Sequence, residues 1–145
     1  MTAARCGGDD GSTVPLILGF FVIAFLLVAG SIAASDAYLD QRALQSTCDG
    51  AALAGINAID EQAAFTGGLA ALDSIPLGPA REAAQSYLDR DAARSAVRIQ
   101  SAAVTGGTTL TLRCVETAPL AFGAMFGFGQ GVEHRATASA RADFR

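Results

Sequence analysis

The chain has 145 residues, enough for one domain and a membrane anchor, and 51% of them are hydrophobic. Its formal net charge is −4, and its basic residues, all of them arginines, form no basic cluster along the chain. A nucleic-acid-binding protein has the opposite charge balance, so this composition argues against a nucleic-acid partner.

A polar leader, residues 1–11, precedes an uncharged apolar run from Val14 to Ala34. A helix over this run would be about 31 Å long, which matches the thickness of the hydrocarbon core of a bilayer. The run therefore predicts a transmembrane helix over residues 12–35 and a single-pass membrane protein. Arg5 and the amino terminus favour a cytoplasmic N-terminus, which places the C-terminal part of the chain outside the cytoplasm.

The helical pattern continues beyond the apolar run. Residues 36–65 contain no proline, and their apolar residues recur at steps of three and four. This pattern predicts an extracytoplasmic continuation of the same helix, or a second and nearly collinear helix, with one face packed against another part of the protein. The residues predicted for that face are Leu39, Ala43, Leu44, Cys48, Ala52, Gly55, Ile56 and Ile59. Glycines and prolines then indicate a linker over residues 66–80.

Residues 81–145 predict a small α+β domain. A short helix is expected from Pro79, a residue suited to a first helical turn. Alternating segments on both sides of the glycine turn at 105–108 predict a β-hairpin, and a third alternating segment from Val132 to Ala140 predicts a final strand with one face of small residues. The residues predicted to face inward on the short helix are Ala83, Tyr87 and Leu88. The expected fold class is α+β, in which the long N-terminal helix, transmembrane and then amphipathic, packs on an antiparallel sheet of about three strands with short helices.

The three cysteines fall on two sides of the predicted membrane helix. Cys6 precedes the helix, whereas Cys48 and Cys114 follow it and form an even pair in a compartment that permits disulfides. A Cys48–Cys114 disulfide would close a long loop and constrain the unfolded chain. The alternative is a pair of free thiols that pack as small hydrophobic side chains.

No catalytic site is evident in the sequence. His134 is the single histidine, and it lies at an alternating strand position without a neighbouring nucleophile. A metal site formed by Cys48, Cys114 and His134 would lack the close ligand spacing that metal motifs show. The glycine-rich stretch 123–131 has no Lys-Ser/Thr pair and does not match a phosphate-binding loop. We therefore expect no catalytic residues, no metal and no cofactor.

A family resemblance appears in "GSTVPLILGFFVIAFLLVAGSIAASDAYLDQRALQSTCDGAALAGINAI", Gly11 to Ile59. This segment resembles the N-terminal part of TadE/TadG-like proteins of bacterial tight-adherence (Flp pilus) systems. In that family a polar leader ending in glycine precedes one membrane helix, then an aspartate and a stretch similar to "LQ…DAAALAGA". The residues that match these pieces are Asp36, Leu44, Gln45, Asp49, Ala51, Ala52, Leu53 and Ala54.

The leader contains one candidate processing site, between Gly11 and Ser12. Pilin-type peptidases cut after a glycine and usually require a glutamate five residues later, but Leu16 occupies that position. A retained anchor is therefore the first expectation and a pilin-type cut the second. Ordinary signal-peptide cleavage after the small residues Ser31 to Ala33 is the third, because the apolar run is longer than a normal signal core.

The resemblance implies a non-enzymatic, pseudopilin-like component of pilus assembly in the bacterial cell membrane. Its expected partners are pilin-like subunits, the inner-membrane assembly platform and membrane lipid. The alternative reading is a membrane-tethered extracytoplasmic binding or sensing domain, with the sheet and the Phe122–Phe128 loop as the ligand surface.

Overall fold

The computed structural model describes residues 13–66 and 74–142. Cys6, Gly11 and Ser12 lie outside the described residues. In chain order the elements are α1 (Val14–Thr66), α2 (Leu77–Asp89), β1 (Arg98–Thr105), β2 (Thr109–Ala118), a 3₁₀ turn (Gly123–Phe126) and β3 (Val132–Arg141). The predicted α+β class is confirmed.

Helix α1 is a single helix of 53 residues, about 80 Å long. Pro15 is tolerated because it occupies the first turn, where the backbone N–H has no intrahelical acceptor. The next proline is Pro76, so nothing in this stretch forces the helix to break. The membrane-spanning run and the amphipathic segment after it are therefore continuous, as the sequence predicts.

The three strands form an antiparallel sheet in the order β1-β2-β3. Gly106 and Gly107 have positive φ angles in the turn between β1 and β2, a conformation that favours glycine. The pairing of β1 with β2 shifts between Ile99 and Ser101, which leaves Gln100 as a bulge. After this bulge the side chains of β1 change faces, so Ala102 rather than Ser101 packs against the core.

The core lies between α1, α2 and one face of the sheet. Ala136 and Ala138 of β3 are buried there, and their small side chains let α1 lie close to the strand, as the sequence predicts. The largest fully buried side chains come from α1, α2 and the central strand β2. They are Leu44, Ile59, Leu88, Leu110, Leu112, Cys48 and Cys114.

Part of the predicted core face of α1 is wrong. Leu39 is 62% exposed and Ala43 is exposed as well. At 100° per residue, Leu39 lies about 140° around the helix from the buried Leu44, so both cannot face the same sheet. Because the spacing of Leu39 and Ala43 is itself helical, the sequence pattern alone did not separate this second stripe from the first.

The predicted position of α2 also needs correction. The helix begins at Leu77 after Pro76, so Pro79 is its third residue rather than its first. Leu88 is buried as predicted, but Ala83 and Tyr87 are only half-buried. The residues that face the core together with Leu88 are Ala80 and Ala84.

Candidate functional site: helix α1 and the strand that it covers

The first part of α1 is an apolar cylinder with little protein around it. Its large side chains from Val14 to Ile32 are 45% exposed or more. The most apolar 18-residue window of α1 is only 11% buried, and the helix is long and apolar enough to cross a membrane. A core helix of a soluble protein would be mostly buried, so α1 has the character of a single-pass membrane anchor.

Further along α1, two glutamines cover the outer edge of β3. The side-chain nitrogen of Gln41 donates to the carbonyl oxygen of Arg135 at 2.8 Å, and that of Gln45 donates to the carbonyl of Thr137 at 3.1 Å. Four residues of helix rise about 6 Å and two residues of strand about 6.7 Å, so the two glutamines match two successive outward carbonyls. Helix α1 thereby protects an edge that would otherwise be open to pairing with another strand.

Gln45 was predicted as a site residue from the family pattern, whereas Gln41 was not. The i, i+4 spacing of the two glutamines was the available signal, because it places both side chains on one helix face. Gln41 also bonds His134, with its side-chain oxygen 3.2 Å from the ring Nδ1. His134 is 8% exposed, so this contact provides a partner for the buried ring.

A disulfide joins Cys48 of α1 to Cys114 of β2, with a Cα–Cα distance of 6.0 Å. The bond between these two cysteines that the sequence analysis expected is therefore present. Both cysteines are fully buried, and the bond ties α1 to the central strand of the sheet. Cysteines in a disulfide do not supply thiolates, so the conceivable Cys48–Cys114–His134 metal site is excluded in this state.

Two glycines let other elements approach α1. A Cβ atom on Gly55 would lie 2.8 Å from the carbonyl oxygen of Ala80 and 2.8 Å from Leu110. A Cβ atom on Gly50 would lie 2.5 Å from the hydroxyl oxygen of Tyr87. Gly55 therefore sets the close packing of α2 and β2 on α1, and Gly50 leaves room for the tyrosine ring.

The family-motif residues have three different environments. Leu44, Ala51 and Ala52 are buried in the core. Asp36 and Gln45 contact other elements. Asp36 accepts a hydrogen bond from the backbone N–H of Ala121 at 3.1 Å, and Gln45 donates to the carbonyl oxygen of Thr137 in β3. The remaining motif residues lie at the surface or are half-buried, and they are Asp49, Leu53 and Ala54. The motif thus contains residues that pack in the core and residues that are exposed on the surface of the protein.

An exposed stripe runs along α1 opposite the core. Leu53 is 56% exposed and lies about 180° from Leu44, whereas Leu39 and Leu53 differ by only about 40° around the helix. We call this face the outer stripe. Its exposed residues are Leu39, Arg42, Ala43, Ser46, Asp49, Leu53 and Asn57. It continues the surface of the apolar run into the domain.

The polar contacts described above join α1 to the sheet and to the connection between β2 and β3. Within residues 13–66 and 74–142, no group of three or more His, Cys, Asp or Glu side chains could hold a metal ion. The polar side chains of α1 contact backbone groups of the sheet and loops instead. The arrangement holds the domain in place on α1.

The N-terminal part of the chain matches a known protein family over 61 of the 145 residues. Residues 11–71 match the sequence model of the TadE/G-like Flp pilus-assembly family, so the resemblance inferred from the sequence is confirmed over this segment. The match spans all of α1 and ends before α2. No curated protein and no solved structure shows significant similarity to the chain.

Proposed function

We propose, from the TadE/G-like family pattern that residues 11–71 carry, that this protein is a non-enzymatic component of the assembly of a bacterial Flp-type pilus or a related secretion system. The apolar run of α1 anchors it in the cell membrane, and the rest of α1, which carries the α+β domain on one face, presents its opposite face to other proteins. Its partners are pilin-like subunits and the inner-membrane assembly platform.

The structural observation that supports this proposal is the outer stripe of α1. A helix of about 80 Å that packs its domain on one face leaves the opposite face free along its length. Leu39 and Leu53 are exposed on that face, and they continue the lipid-facing surface of the apolar run. Such a surface suits side-by-side packing with other long helices, in the membrane and beyond it.

The proposed orientation is N-terminus inside and domain outside the cytoplasm. The buried Cys48–Cys114 bond supports this orientation, since disulfides persist mainly in oxidising compartments. A cysteine at the exposed Thr105, in a Cys6→Ser background, should react with a membrane-impermeant thiol reagent on cells with a permeabilised outer envelope and intact inner membranes. Protection of that site would contradict the orientation and leave the anchor itself in place.

The N-terminus of the protein purified from its native membranes separates two forms of this proposal. A chain that begins at Met1 or Thr2 is a fixed anchor. A chain that begins at Ser12 has been cut after Gly11 by a pilin-type peptidase despite Leu16, and is then a subunit that can enter the filament. Intact-mass measurement distinguishes these products directly.

The partner proposal is tested by photo-crosslinking at the outer stripe in cells that produce the pilus. A photoreactive phenylalanine analogue at Leu53 should form an adduct that mass spectrometry identifies as a pilin-like subunit or a platform protein. The same analogue at Ala103, exposed on the far face of the sheet, is the matched control and should form no such adduct. Adducts at neither site, or equally at both, would contradict a partner at the outer stripe.

A functional test uses the same two faces. Leu39→Asp with Leu53→Asp should abolish the restoration of pili in a deletion strain, whereas Ala103→Asp should restore them. We assign His134 a packing role only. Any loss of pili in the His134→Ala variant should therefore match the loss of folded protein. If the Leu39 and Leu53 variant restored normal piliation, the outer stripe would not be the assembly surface.

A further inference from the structure

The connection between β2 and β3 exposes an unusual amount of apolar surface. We call residues 119–131 the aromatic loop. No charged residue occurs between Glu116 and Glu133. Four large apolar side chains of the loop are exposed: Phe122 46%, Met125 58%, Phe126 39% and Phe128 52%. Contiguous exposed apolar side chains of this kind mark a surface that contacts another protein or a membrane.

The aromatic loop lies where α1 leaves its apolar run. The backbone N–H of Ala121 donates to the carboxylate of Asp36, the first charged residue after that run. Ala121 also lines a surface cleft together with Ser31 and Ile32, which belong to the last turns of the run. The loop is therefore at the level where a membrane surface would cross α1.

Burial on α1 supports the same placement. Ala29 and Ala33 are 2% and 6% exposed, whereas Val28 and Ile32 beside them are 61% and 48% exposed. Two alanines buried one turn apart require a neighbouring segment on that side of the helix. Asp36 lies on the same face of α1 as Ala29 and Ala33. The domain therefore covers the end of the apolar run on the side where Asp36 binds the loop.

The aromatic loop is braced by backbone hydrogen bonds of its own. This matters because unpaired backbone groups are costly wherever water is scarce. The bonds are Gly123 N to Leu120 O at 2.8 Å, Met125 N to Phe122 O at 2.9 Å, Phe128 N to Gly123 O at 2.7 Å and Gly131 N to Phe128 O at 3.0 Å. These bonds close the loop into a compact turn whose large apolar side chains are exposed.

Phe122 occupies a backbone conformation that disfavours it. Its φ of 58° lies in the left-handed region, where a glycine would be free of strain. The ring is nevertheless exposed by 46%, so it does not recover this cost by packing in the core. A strained residue with an exposed aromatic side chain is a candidate for a contact outside the chain.

We propose that the aromatic loop inserts into the interfacial region of the bilayer, on the side from which α1 emerges. The loop contacts lipid rather than protein because it adjoins the apolar run, carries no charge and exposes aromatic rings. Aromatic rings prefer the interface between acyl chains and headgroups. Tyr38, 64% exposed and one turn beyond the run, lies at the same level. This inference rests on the membrane anchor of the proposed function.

A second contact with the membrane has a mechanical consequence. A single helix can rotate and tilt in the bilayer, whereas a helix with a loop seated beside it is fixed in rotation. The Asp36–Ala121 hydrogen bond and the Cys48–Cys114 disulfide couple the loop and sheet to α1. The loop therefore sets the direction in which the outer stripe faces neighbouring helices.

The chain contains no tryptophan, so single substitutions give unambiguous fluorescent reporters. The full-length protein is reconstituted into vesicles of phosphatidylcholine that carry bromine atoms on the acyl chains, either near the glycerol end or near the middle. Phe126→Trp and Phe128→Trp report on the loop. Ile23→Trp reports on the apolar run. Phe65→Trp is the matched control, because Phe65 is 85% exposed at the far end of α1, about 45 Å beyond residue 35.

We expect both loop tryptophans to lose most of their emission, and to lose more with the shallow bromines than with the deep ones. Ile23→Trp should be quenched most by the deep bromines, and Phe65→Trp should keep its emission. Loop tryptophans as bright as Phe65→Trp, with Ile23→Trp quenched, would overturn the insertion and leave the anchor intact. An unquenched Ile23→Trp would overturn both the insertion of the loop and the membrane anchor of α1.

Discussion

The side-chain nitrogen of Gln45 lies 3.1 Å from the carbonyl oxygen of Thr137, so a residue of the family motif forms a hydrogen bond to the edge strand of the sheet. The same nitrogen also donates to Asp49 at 3.0 Å. In α2, Gln85 makes an equivalent bond to Asp89 at 2.9 Å. Each glutamine therefore bonds an aspartate four residues later in its own helix, but only Gln45 also bonds a strand.

This difference predicts the effect of removing each glutamine. Gln45→Ala should lower the free energy of unfolding by about 0.5–1.5 kcal/mol more than Gln85→Ala, because only the first variant loses a bond to β3. The gain in helix propensity is common to both and cancels. Urea denaturation of the full chain in detergent micelles, followed by circular dichroism, measures the difference. Equal values would mean that water replaces the Gln45 amide at Thr137 without cost.

Gly55 gives a second prediction. An alanine there would place its Cβ 2.8 Å from a backbone oxygen of α2, and that oxygen moves only if the helix moves. Gly55→Ala should therefore destabilise the domain by about 1–3 kcal/mol despite its better helix propensity. Gly78→Ala in α2 is the control, since nothing lies within 4 Å of its Cβ position. It should be neutral or stabilising by up to about 1 kcal/mol.

The sequence predicted the elements of the fold where the pattern was long or strictly alternating. Helix α1 and the burial of Leu110, Leu112 and Cys114 follow from such patterns. The bulge at Gln100 did not, because the small residues after it give no contrast between the two faces of β1. Leu39 was misplaced for a related reason, since an exposed leucine at helical spacing cannot be told from a core leucine by sequence alone.

The candidate site was predictable only in part. The motif residue Gln45 could be named, but its partner is a backbone carbonyl of β3, and backbone contacts leave no sequence signal. The same holds for the bond between Asp36 and the N–H of Ala121. The position of the aromatic loop beside the apolar run depends on the direction in which β3 runs along α1, which requires the three-dimensional arrangement.

The alanine face of β3 gives a third prediction. Ala138 is 2% exposed and belongs to the core cluster where α1 packs on the sheet, so Ala138→Leu should force the helix and strand apart. We expect destabilisation of about 1–3 kcal/mol by the same urea measurement. Ala103→Leu, on the exposed face of β1, should change stability by about 0.5 kcal/mol or less. A tolerated leucine at 138 would show that close packing of α1 on this strand is not required.

The disulfide gives the fourth prediction. Cys48 and Cys114 are 66 residues apart, and closing a loop of that length should stabilise the domain by about 4 kcal/mol on the chain-entropy account. Cys48→Ala with Cys114→Ala should lower the free energy of unfolding by about this amount, because the unfolded chain gains freedom. Cys6→Ser, which removes the one cysteine outside this pair, is the matched control and should leave stability unchanged.

Thiol counting checks the bond independently of stability. A maleimide reagent applied to the denatured, unreduced protein should label one thiol, Cys6, and reduction should raise the count to three. Denaturation before labelling matters because both paired cysteines are fully buried and would escape the reagent even as free thiols. Three labelled thiols without reduction would contradict the bond. If one thiol is labelled and the double variant is as stable as the unaltered protein, the disulfide is present but does not stabilise the domain. That result would contradict the entropic account of its effect.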